Sequence, residues 1–305
     1  MLSIIVCSRN KTPLKSFVDN IISTVGIVHE IISIDNSRSE YSIFSAYNLG
    51  FAKSNYPYIC FVHEDVSFLT QNWGSKIIDH LKIPKTGIIG LAGGDLATRI
   101  PASWSTLMSC LNIVQSDRTG EKPTRIIRLP VNQKESRRSV ILLDGVLMCM
   151  KRELMKRIHF DEQFNGFHGY DSDITIQSTL AGYTNYVIYD IQLEHYSLGK
   201  TDIDYYKNLI SVFKKWENYL PLIGQNITEE QRSLIPAIEE KRLSRLVSKM
   251  TRKGFSTKEI IAEATYFATI IDSMKLLRNI KYRIFFIRLF ECPIYLLRKN
   301  RFPIS

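Results

Sequence analysis

The segment Leu2–Cys7, "LSIIVC", is a short apolar run rich in β-branched residues, which is typical of a strand buried on both faces. Three further runs of the same kind are "EIISID" (30–35), "YICFV" (58–62) and "GIIGLA" (87–92). Segments of helical periodicity separate them, at about 13–24, 41–54 and 72–81. Strands that alternate with helices predict an α/β fold whose mostly parallel, Rossmann-like sheet is flanked by helices.

Polar residues directly follow the first three predicted strands. They are Ser8–Asn10, Asp35–Ser37 and His63–Asp65. In an open sheet of parallel strands, ligands bind in the crevice beyond the carboxyl ends of the strands. We therefore expect a binding site where these three loops meet.

The pattern is less regular after the fourth strand. Between Gly93 and Arg138 the periodicity weakens, which predicts a long, partly irregular insertion. "SVILLDGVLMCM" (139–150) then indicates a strand pair or a bent strand with a break at Asp144–Gly145. A helix is expected from about Asp171 to Ala181, because Gly182 is well suited to end it.

The positive charge of the chain is concentrated towards its C-terminus. The formal net charge is +10, and residues 225–305 contain 16 Lys or Arg against 8 Asp or Glu, which amounts to +8. The first 224 residues are therefore nearly neutral. This shift and the helical periodicity beyond Gly224 predict an α/β domain over 1–224 and a basic helical extension over 225–305.

The end of this extension, residues 275–302, mixes Phe, Ile, Leu and Tyr with Lys and Arg at helical spacing. Such a helix suits an anionic membrane surface, and a peripheral position at the inner face of the plasma membrane is one expectation. An equally good alternative is a helix that packs on the α/β domain or forms a homo-oligomer. Basic charge would also suit a nucleic acid, but we find no nucleic-acid-binding motif and expect no such partner.

Signals for secretion or membrane insertion are weak. The five cysteines are scattered and include no CxxC pair, which favours a reducing compartment. The first apolar run is too short for a signal peptide, and no run reaches the roughly 18 residues of a membrane span. The sequence therefore predicts a cytoplasmic protein.

The phosphate-binding motifs of common nucleotide enzymes are missing. No Gly-rich fingerprint follows the first strand, and the chain contains no Walker loop. A divalent ion held by a few carboxylates is an alternative way to neutralise a diphosphate, and Glu64 and Asp65 are placed for it at the end of a strand. The plainer alternative is that these two acids belong to a solvated loop.

Several motifs occur here in the order and spacing of one enzyme family. They are "LSIIVCSRN", "EIISIDNSRSE", "AYNLGFAKSNYPYICFVHEDVSF", "LDGVLMCMKRELMKRIHFDEQFNGFHGYDSDIT" and "EHYSLGK". Over about residues 1–200 the chain resembles family 2 type glycosyltransferases, and within them the bacterial surface-polysaccharide branch with an H-x-D-V variant of the D-x-D motif. The resemblance implies a GT-A fold, in which a metal-bound nucleotide-diphosphate sugar donates its sugar to an acceptor hydroxyl.

The resemblance also implies roles for residues of the first two loops. Ser8 and Arg9 occupy positions that contact the nucleotide, and Asp35 matches the acid that holds the uracil or ribose. Asn36 stands where many members have a second Asp.

Further along the chain, four more residues match donor-binding positions of the family. Asn48 and Lys53 belong to the helix that usually carries an "RNxG" element, here "YNLG". Asp144 and Gly145 match the "DG" pair, whose backbone lies near the donor sugar and the acceptor. A strand break that requires Gly is the alternative for this pair.

The metal site implied by the resemblance would hold Mg²⁺ or Mn²⁺. Asp65 matches the last acid of the D-x-D motif, which binds the metal directly, and Glu64 precedes it. His63 replaces the first Asp and leaves one ribose or metal contact open. His195 follows a later strand at the position of a third metal ligand in related enzymes, although a His there is more often a structural residue.

Asp171 matches the Asp of the family's "ED" motif, the general base of inverting members, with Tyr170 in the Glu position. A carboxylate beside the acceptor can take the hydroxyl proton as the oxygen attacks the anomeric carbon. The alternative is that Asp171 caps the helix, whose N-terminus would lower the pKa of this carboxyl. Asp173, two residues on, is expected to cap the helix or to support the site.

The function predicted from these residues is metal-dependent, inverting transfer of a hexose-type sugar from a nucleotide-diphosphate donor, preferably a UDP-sugar, to a glycan or lipid-linked acceptor. Capsule or surface-polysaccharide synthesis is the expected setting. His168 and Trp104 are secondary candidates for sugar contacts, against a surface and a packing role. The alternatives are a catalytically silent GT-A scaffold, suggested by His63, and a basic membrane- or nucleic-acid-binding protein.

Overall fold

The computed structural model of the chain describes residues 1–105, 107–116, 124–130, 134–197, 201–282 and 284. The described residues form two compact units. One contains residues 1–97 and 102–231, and the other contains residues 98–101 together with described residues from 232 onwards. The predicted boundary at residue 225, between a catalytic α/β domain and a basic helical extension, stays a prediction.

Strands and helices alternate through the first unit. The described strands are β1 (Leu2–Ser8), β2 (His29–Asp35), β3 (Tyr58–Val62), β4 (Val66–Phe68), β5 (Thr86–Gly90), β6 (Ala92–Gly94), β7 (Leu96–Ala97), β8 (Ser109–Gln115), β9 (Arg125–Leu129), β10 (Arg137–Val140), β11 (Leu142–Leu143), β12 (Leu147–Lys151), β13 (Thr184–Ile188), β14 (Leu193–His195) and β15 (Leu222–Ile223). The described α-helices are α1 (Lys15–Thr24), α2 (Ile43–Lys53), α3 (Trp73–Lys82), α4 (Arg152–Met155), α5 (Tyr170–Leu180), α6 (Ile203–Lys215), α7 (Glu229–Ser233), α8 (Ile235–Arg252) and α9 (Thr257–Ile270).

The main sheet has seven strands in the order β10-β13-β5-β12-β3-β1-β2. β1 pairs in parallel with β2 and β3, and β5 pairs in parallel with β13. β12 is antiparallel to both β3 and β5, so that β2, β1, β3, β5 and β13 all run in one direction. The predicted α/β class with a mostly parallel sheet and a C-terminal helical region is confirmed.

Both faces of this sheet are covered, which explains the continuous apolar runs of the early strands. Leu2, Ile4 and Val6 of β1 point into a core that contains residues of α1 and α3. Ile5 points into a second core, shared with α2 and α5. Successive strand residues face opposite sides, and burial of each such side chain contributes about 1.5–3 kcal/mol to folding.

A second sheet, in the order β11-β6-β8-β14-β4, brings late and early parts of the chain together. β14 lies between β4 and β8, and His195 of β14 pairs with Val66 of β4. β9 adds to the free side of β8. The segment from Gly93 to Arg138 is therefore more regular than its sequence predicts, because strands form in its described parts.

The helix α5 begins next to the break between β11 and β12. Its N-cap is Gly169, whose φ of 82° lies in the left-handed region that favours glycine. Asp171 is the second residue of the helix and not the cap. Asp173 does not cap the helix either: it is buried, and its Oδ1 accepts hydrogen bonds from Lys215 Nζ (2.8 Å) and Trp216 Nε1 (2.7 Å), which tie α5 to the end of α6.

The second unit is organised by a buried ion pair. Glu239 of α8 is fully buried, and both of its carboxylate oxygens accept hydrogen bonds from Arg99. Ser256 and Glu259 form a capping box at the start of α9. Helical turns continue over 274–282, and no helix among the described residues is long and apolar enough to cross a membrane. Most of the predicted membrane-surface segment, 275–302, lies outside the described residues.

Candidate functional site

A group of three metal-ligating side chains lies where β4 and β14 meet. His63 and Asp65 occupy the short link from β3 to β4, and His195 ends β14. Asp65 Oδ1 is 3.8 Å from His63 Nδ1 and 3.6 Å from His195 Nε2. One ligand atom from each residue lies within 4.8 Å of the other two. The sheet register therefore joins two parts of the chain that are about 130 residues apart.

These atoms fit a divalent ion. Ligand atoms that surround an ion at about 2.2 Å lie about 3–3.6 Å apart. The three ligand atoms would therefore have to move only slightly closer together to coordinate one ion. His195 Nε2 is buried and has no hydrogen-bond partner among the described residues. An unpaired buried polar atom costs about 1–3 kcal/mol, which a bound ion would offset. Two imidazoles suit a divalent transition ion, and the carboxylate is a ligand of the kind that Mn²⁺ takes.

Electrostatics favour the protonation states that metal binding needs at two of these ligands, Asp65 and His63. Burial works to raise the pKa of Asp65, but the interactions with the imidazoles of His195 and His63 outweigh it and lower this pKa to about 2. Burial lowers the pKa of His63 below its ordinary value; the charge of Asp65 opposes this effect without cancelling it, and the charge of Arg9 adds to it. At neutral pH the group therefore consists of an ionised carboxylate and a neutral His63.

Tyr170 connects this group to the start of α5. Its hydroxyl lies 2.7 Å from His63 Nε2. On its other side it packs against Gly145, where an added Cβ would lie only 2.0 Å from the Tyr170 hydroxyl oxygen. The glycine of the "DG" pair is thus required by close approach of an aromatic side chain.

The site also contains two neighbouring carboxylates, Asp171 and Asp144. Asp171 Oδ1 accepts the backbone N–H of Ser172 (2.8 Å). Asp144 Oδ1 accepts the backbone N–H of Val146 (2.9 Å), and Asp144 Oδ2 accepts Trp104 Nε1–H (2.7 Å). Trp104, considered as a sugar contact from the sequence, is therefore the residue that holds Asp144.

The environment of Asp171 corrects one expectation from the sequence. Burial and then the charge of Asp144 raise the pKa of Asp171 from 3.8 to about 7. Backbone hydrogen bonds, among them one from Ser172 at the helix start and one from Gly145 between β11 and β12, lower the pKa but do not cancel these effects. The expected lowering at a helix N-terminus is wrong here, because desolvation and a like charge outweigh the hydrogen bonds.

The first-strand loop is braced by Glu64. Ser8 Oγ donates a hydrogen bond to Glu64 Oε2 (2.6 Å), and the backbone N–H of Arg9 donates to Glu64 Oε1 (3.1 Å). Glu64 and Ser8 therefore hold two strand ends together, while the Arg9 side chain is exposed and acts electrostatically on His63.

Asp35 and Asn36 follow the second strand but have different environments. Asp35 is exposed, and the hydrogen bonds from Ser37 keep its pKa below the ordinary value. The buried Asn36 uses both ends of its amide on the backbone of Tyr41 (2.9 Å each). Asp35 is thus available to a ligand, whereas the Asn36 side chain shapes the loop.

Two predicted residues lie away from this edge of the sheet. Asn48 binds the 160–162 segment, because its amide donates to the carbonyl oxygen of Phe160 and accepts the N–H of the same residue. Lys53 is the last residue of α2, which lies next to the start of β3 and so near the amino ends of the parallel strands. The structure does not bring Asn48 and Lys53 to the other site residues.

An aromatic residue that the sequence does not single out lies close to Asp171. Burial and the charge of Asp171 raise the pKa of Tyr205 well above its usual range, and its ring meets the ring of His168 edge-on at 5.2 Å. His168 Nε2 also lies 4.0 Å from Asp202 Oδ1, at the N-cap of α6. The aromatic pair at the start of α6, directly after the loop that follows β14, was the available signal for Tyr205.

A cavity of about 340 Å³ lies elsewhere, at the β10 edge of the main sheet. None of the predicted site residues lines it. The chemically distinctive side chains of the candidate site therefore lie outside this cavity. The cavity is lined by Glu135, Ser136, Arg137, Arg138, Ser139, Tyr186, Gln225 and Asn226.

A family model described as "Glycosyltransferase like family" matches residues 3–218, and the chain belongs to this family. No curated protein sequence matches the chain. Similarity to known proteins beyond this family is found in the fold.

Two similar solved structures are glycosyltransferases of the GT-A type. GalNAc-T7, solved with UDP, GalNAc and Mn²⁺, aligns with 93% of this chain at a TM-score of 0.51 and 13% identity. The match spans only 57% of the GalNAc-T7 chain. The mannosyltransferase PcManGT from Pyrobaculum calidifontis, solved with GDP-Man and Mn²⁺, aligns with 92% of this chain and 86% of its own at a TM-score of 0.50 and 12% identity. At such identities the similarity establishes the GT-A fold, and both of these proteins bind Mn²⁺.

Proposed function

We propose that this protein transfers a sugar, with inversion, from a nucleotide-diphosphate donor to a hydroxyl group of a glycan or lipid-linked acceptor, and that it needs a divalent metal ion. The observation that carries the proposal is the hydrogen bond between Tyr170 and His63. It places the His63–Asp65–His195 group next to the residue that precedes Asp171, so that a candidate ion site and a candidate base share one edge of the sheet. The family match over residues 3–218 supports the reaction class.

The donor would be held by the loops after β1, β2 and β3. Asp35 is exposed and ionised, which suits hydrogen bonds from a base or a ribose. The exposed Arg9 adds positive charge beside the His63 group. His63, Asp65 and His195 would hold the ion, which when bound would supply charge that stabilises the departing diphosphate.

Asp171 would act as the general base. Its carboxylate takes the proton of the acceptor hydroxyl while the acceptor oxygen forms a bond to the anomeric carbon. The bond from that carbon to the diphosphate oxygen breaks, and its electron pair leaves with the nucleoside diphosphate. A pKa of about 7 suits this role, because a base near the working pH combines a large ionised fraction with useful basicity.

The setting of the reaction is part of the same proposal. A bacterial surface or capsule polysaccharide is the proposed product, a UDP-hexose the proposed donor, and attachment to an anionic membrane or to a second copy through the basic C-terminal extension the proposed location. The two similar solved structures, one with UDP and one with GDP-Man, support a nucleotide-sugar donor without indicating which base it carries.

A thermal-shift screen tests this function. UDP-, GDP- and dTDP-sugars with Mn²⁺ at about 100 times their Kd should stabilise the fold by about 2.7 kcal/mol, which corresponds to a Tm increase of about 5 °C or more. Asp65→Asn should abolish the shift, and Asp171→Asn should keep it but lose turnover. Asp19→Asn, which changes an exposed acid of α1, is the control and should do neither. A full shift with Asp65→Asn, or normal turnover with Asp171→Asn, would refute the assigned roles.

A further inference from the structure

His63 is held from one side only among the described residues. Its Nε2 lies 2.7 Å from the Tyr170 hydroxyl, whereas its Nδ1 faces Asp65 Oδ1 at 3.8 Å, which is too long for a hydrogen bond. One ring nitrogen is therefore engaged and the other is directed at the metal group. A histidine that binds a metal usually donates its remaining N–H to an oxygen, and this contact sets the tautomer and the ring orientation.

We infer that Tyr170 is a positioning residue for metal binding: its hydroxyl accepts the Nε2 proton of His63 and so leaves the Nδ1 lone pair free for the ion. The inference rests on the proposed function, because it concerns the ion site that the function requires. It assigns a task to a tyrosine that stands where the family has an acidic residue.

The surroundings of Tyr170 make it a rigid support. It is 5% exposed, and its ring packs edge-on against Phe44 (6.2 Å between centroids) and Tyr47 (5.7 Å). Gly145 closes the opposite side, where no larger residue would fit. The hydroxyl therefore has little freedom to follow His63 if the imidazole turns away.

Tyr170 also links the ion site to the base through the backbone. It is the first residue of α5 and Asp171 is the second, so the contact that orients His63 belongs to the same helical turn as the candidate base. Displacement of this turn would disturb both at once. A change in turnover alone would therefore not show which of the two is affected, whereas metal binding reports on His63 directly.

The test compares the full-length protein with Tyr170→Phe, which removes one oxygen and keeps the packed ring. Titration calorimetry with Mn²⁺ alone should give a Kd that is about 10–100-fold weaker in the variant. Tyr47→Phe removes a hydroxyl from the same aromatic cluster and should bind Mn²⁺ like the unmodified protein. Equal Mn²⁺ affinity of Tyr170→Phe and the unmodified protein would overturn the inference.

A second measurement needs no variant. In the metal-free protein, ¹⁵N NMR should show His63 with its proton on Nε2, and a proton on Nδ1 would overturn the inference. An unmodified protein that binds neither Mn²⁺ nor a nucleotide-sugar would instead overturn the proposed function. The two failures are therefore distinguishable.

Discussion

Replacing Asp171 by Asn should make the protein more stable at alkaline pH while it removes the proposed base. The pKa of this carboxyl is raised from 3.8 to about 7, by burial first and by the charge of Asp144 second. A group with a raised pKa in the folded state contributes its full stability below its unfolded pKa, and this contribution is lost as the pH rises through the folded pKa. The loss therefore falls between about pH 4 and pH 7.

The magnitude follows from the two pKa values. Their difference of about 3 corresponds to about 4 kcal/mol at pH 8, since each pKa unit is worth about 1.36 kcal/mol. Asp171 is half-buried and not fully buried, so solvent screening reduces the expected gain to about 2 kcal/mol. Asn is neutral at all pH values and avoids this cost. The Tm at pH 8 should then rise by about 4–8 °C.

The assay is thermal or urea unfolding of Asp171→Asn and the unmodified protein at pH 4.5 and pH 8. The gain should be clear at pH 8 and small at pH 4.5. The control is Asp35→Asn, which removes a carboxyl whose pKa is lowered and which should give no gain at pH 8. An equal or lower stability of Asp171→Asn at pH 8 would refute the reasoning that burial and a neighbouring charge act on this carboxyl.

Three further changes have definite expected outcomes. Asp144→Asn should move the acid limb of the kcat/KM profile about one pH unit lower, because a neighbouring negative charge no longer opposes ionisation of Asp171, the proposed base. An unmoved limb would contradict this. Gly145→Ala should weaken Mn²⁺ binding in calorimetry, because its Cβ would lie 2.0 Å from the Tyr170 hydroxyl oxygen, and unchanged binding would show that the contact is tolerated. Arg99→Met should destabilise the second unit by about 3–5 kcal/mol in urea unfolding, because Glu239 is fully buried and would lose the guanidinium that donates to both of its oxygens. A loss below about 1 kcal/mol would argue against the ion pair.

The local sequence was sufficient to predict individual strands and helices. The strands around "LSIIVC", "EIISID" and "YICFV" are recognisable because a strand buried on both faces needs an uninterrupted apolar run. The helix after Gly169 is recognisable from its ends, and its bounds agree within one residue with the prediction. These features depend on residues that are close in the chain.

The roles of individual polar residues could not be predicted in this way. Glu64, Asn36 and Asn48 have the residue types of donor-binding groups, yet their side chains brace loops through hydrogen bonds to Ser8, Tyr41 and Phe160. A carboxylate or an amide has the same hydrogen-bonding groups whether it binds a ligand or braces a loop. Only the position of its partners distinguishes a ligand contact from a structural one.

By itself, the sequence determined the α/β class, the alternation of strands and helices, and the edge of the sheet where polar loops collect, since these follow from hydrophobic periodicity and from the direction of parallel strands. Only the tertiary structure decided that His195 joins His63 and Asp65, because pairing of β14 with β4 sets that distance. It also decided the raised pKa of Asp171, which depends on burial and on Asp144 from another strand connection. The metal-ligand group and the raised pKa both result from contacts between residues that are far apart in the sequence. A short segment alone determines neither the distances between such residues nor their burial.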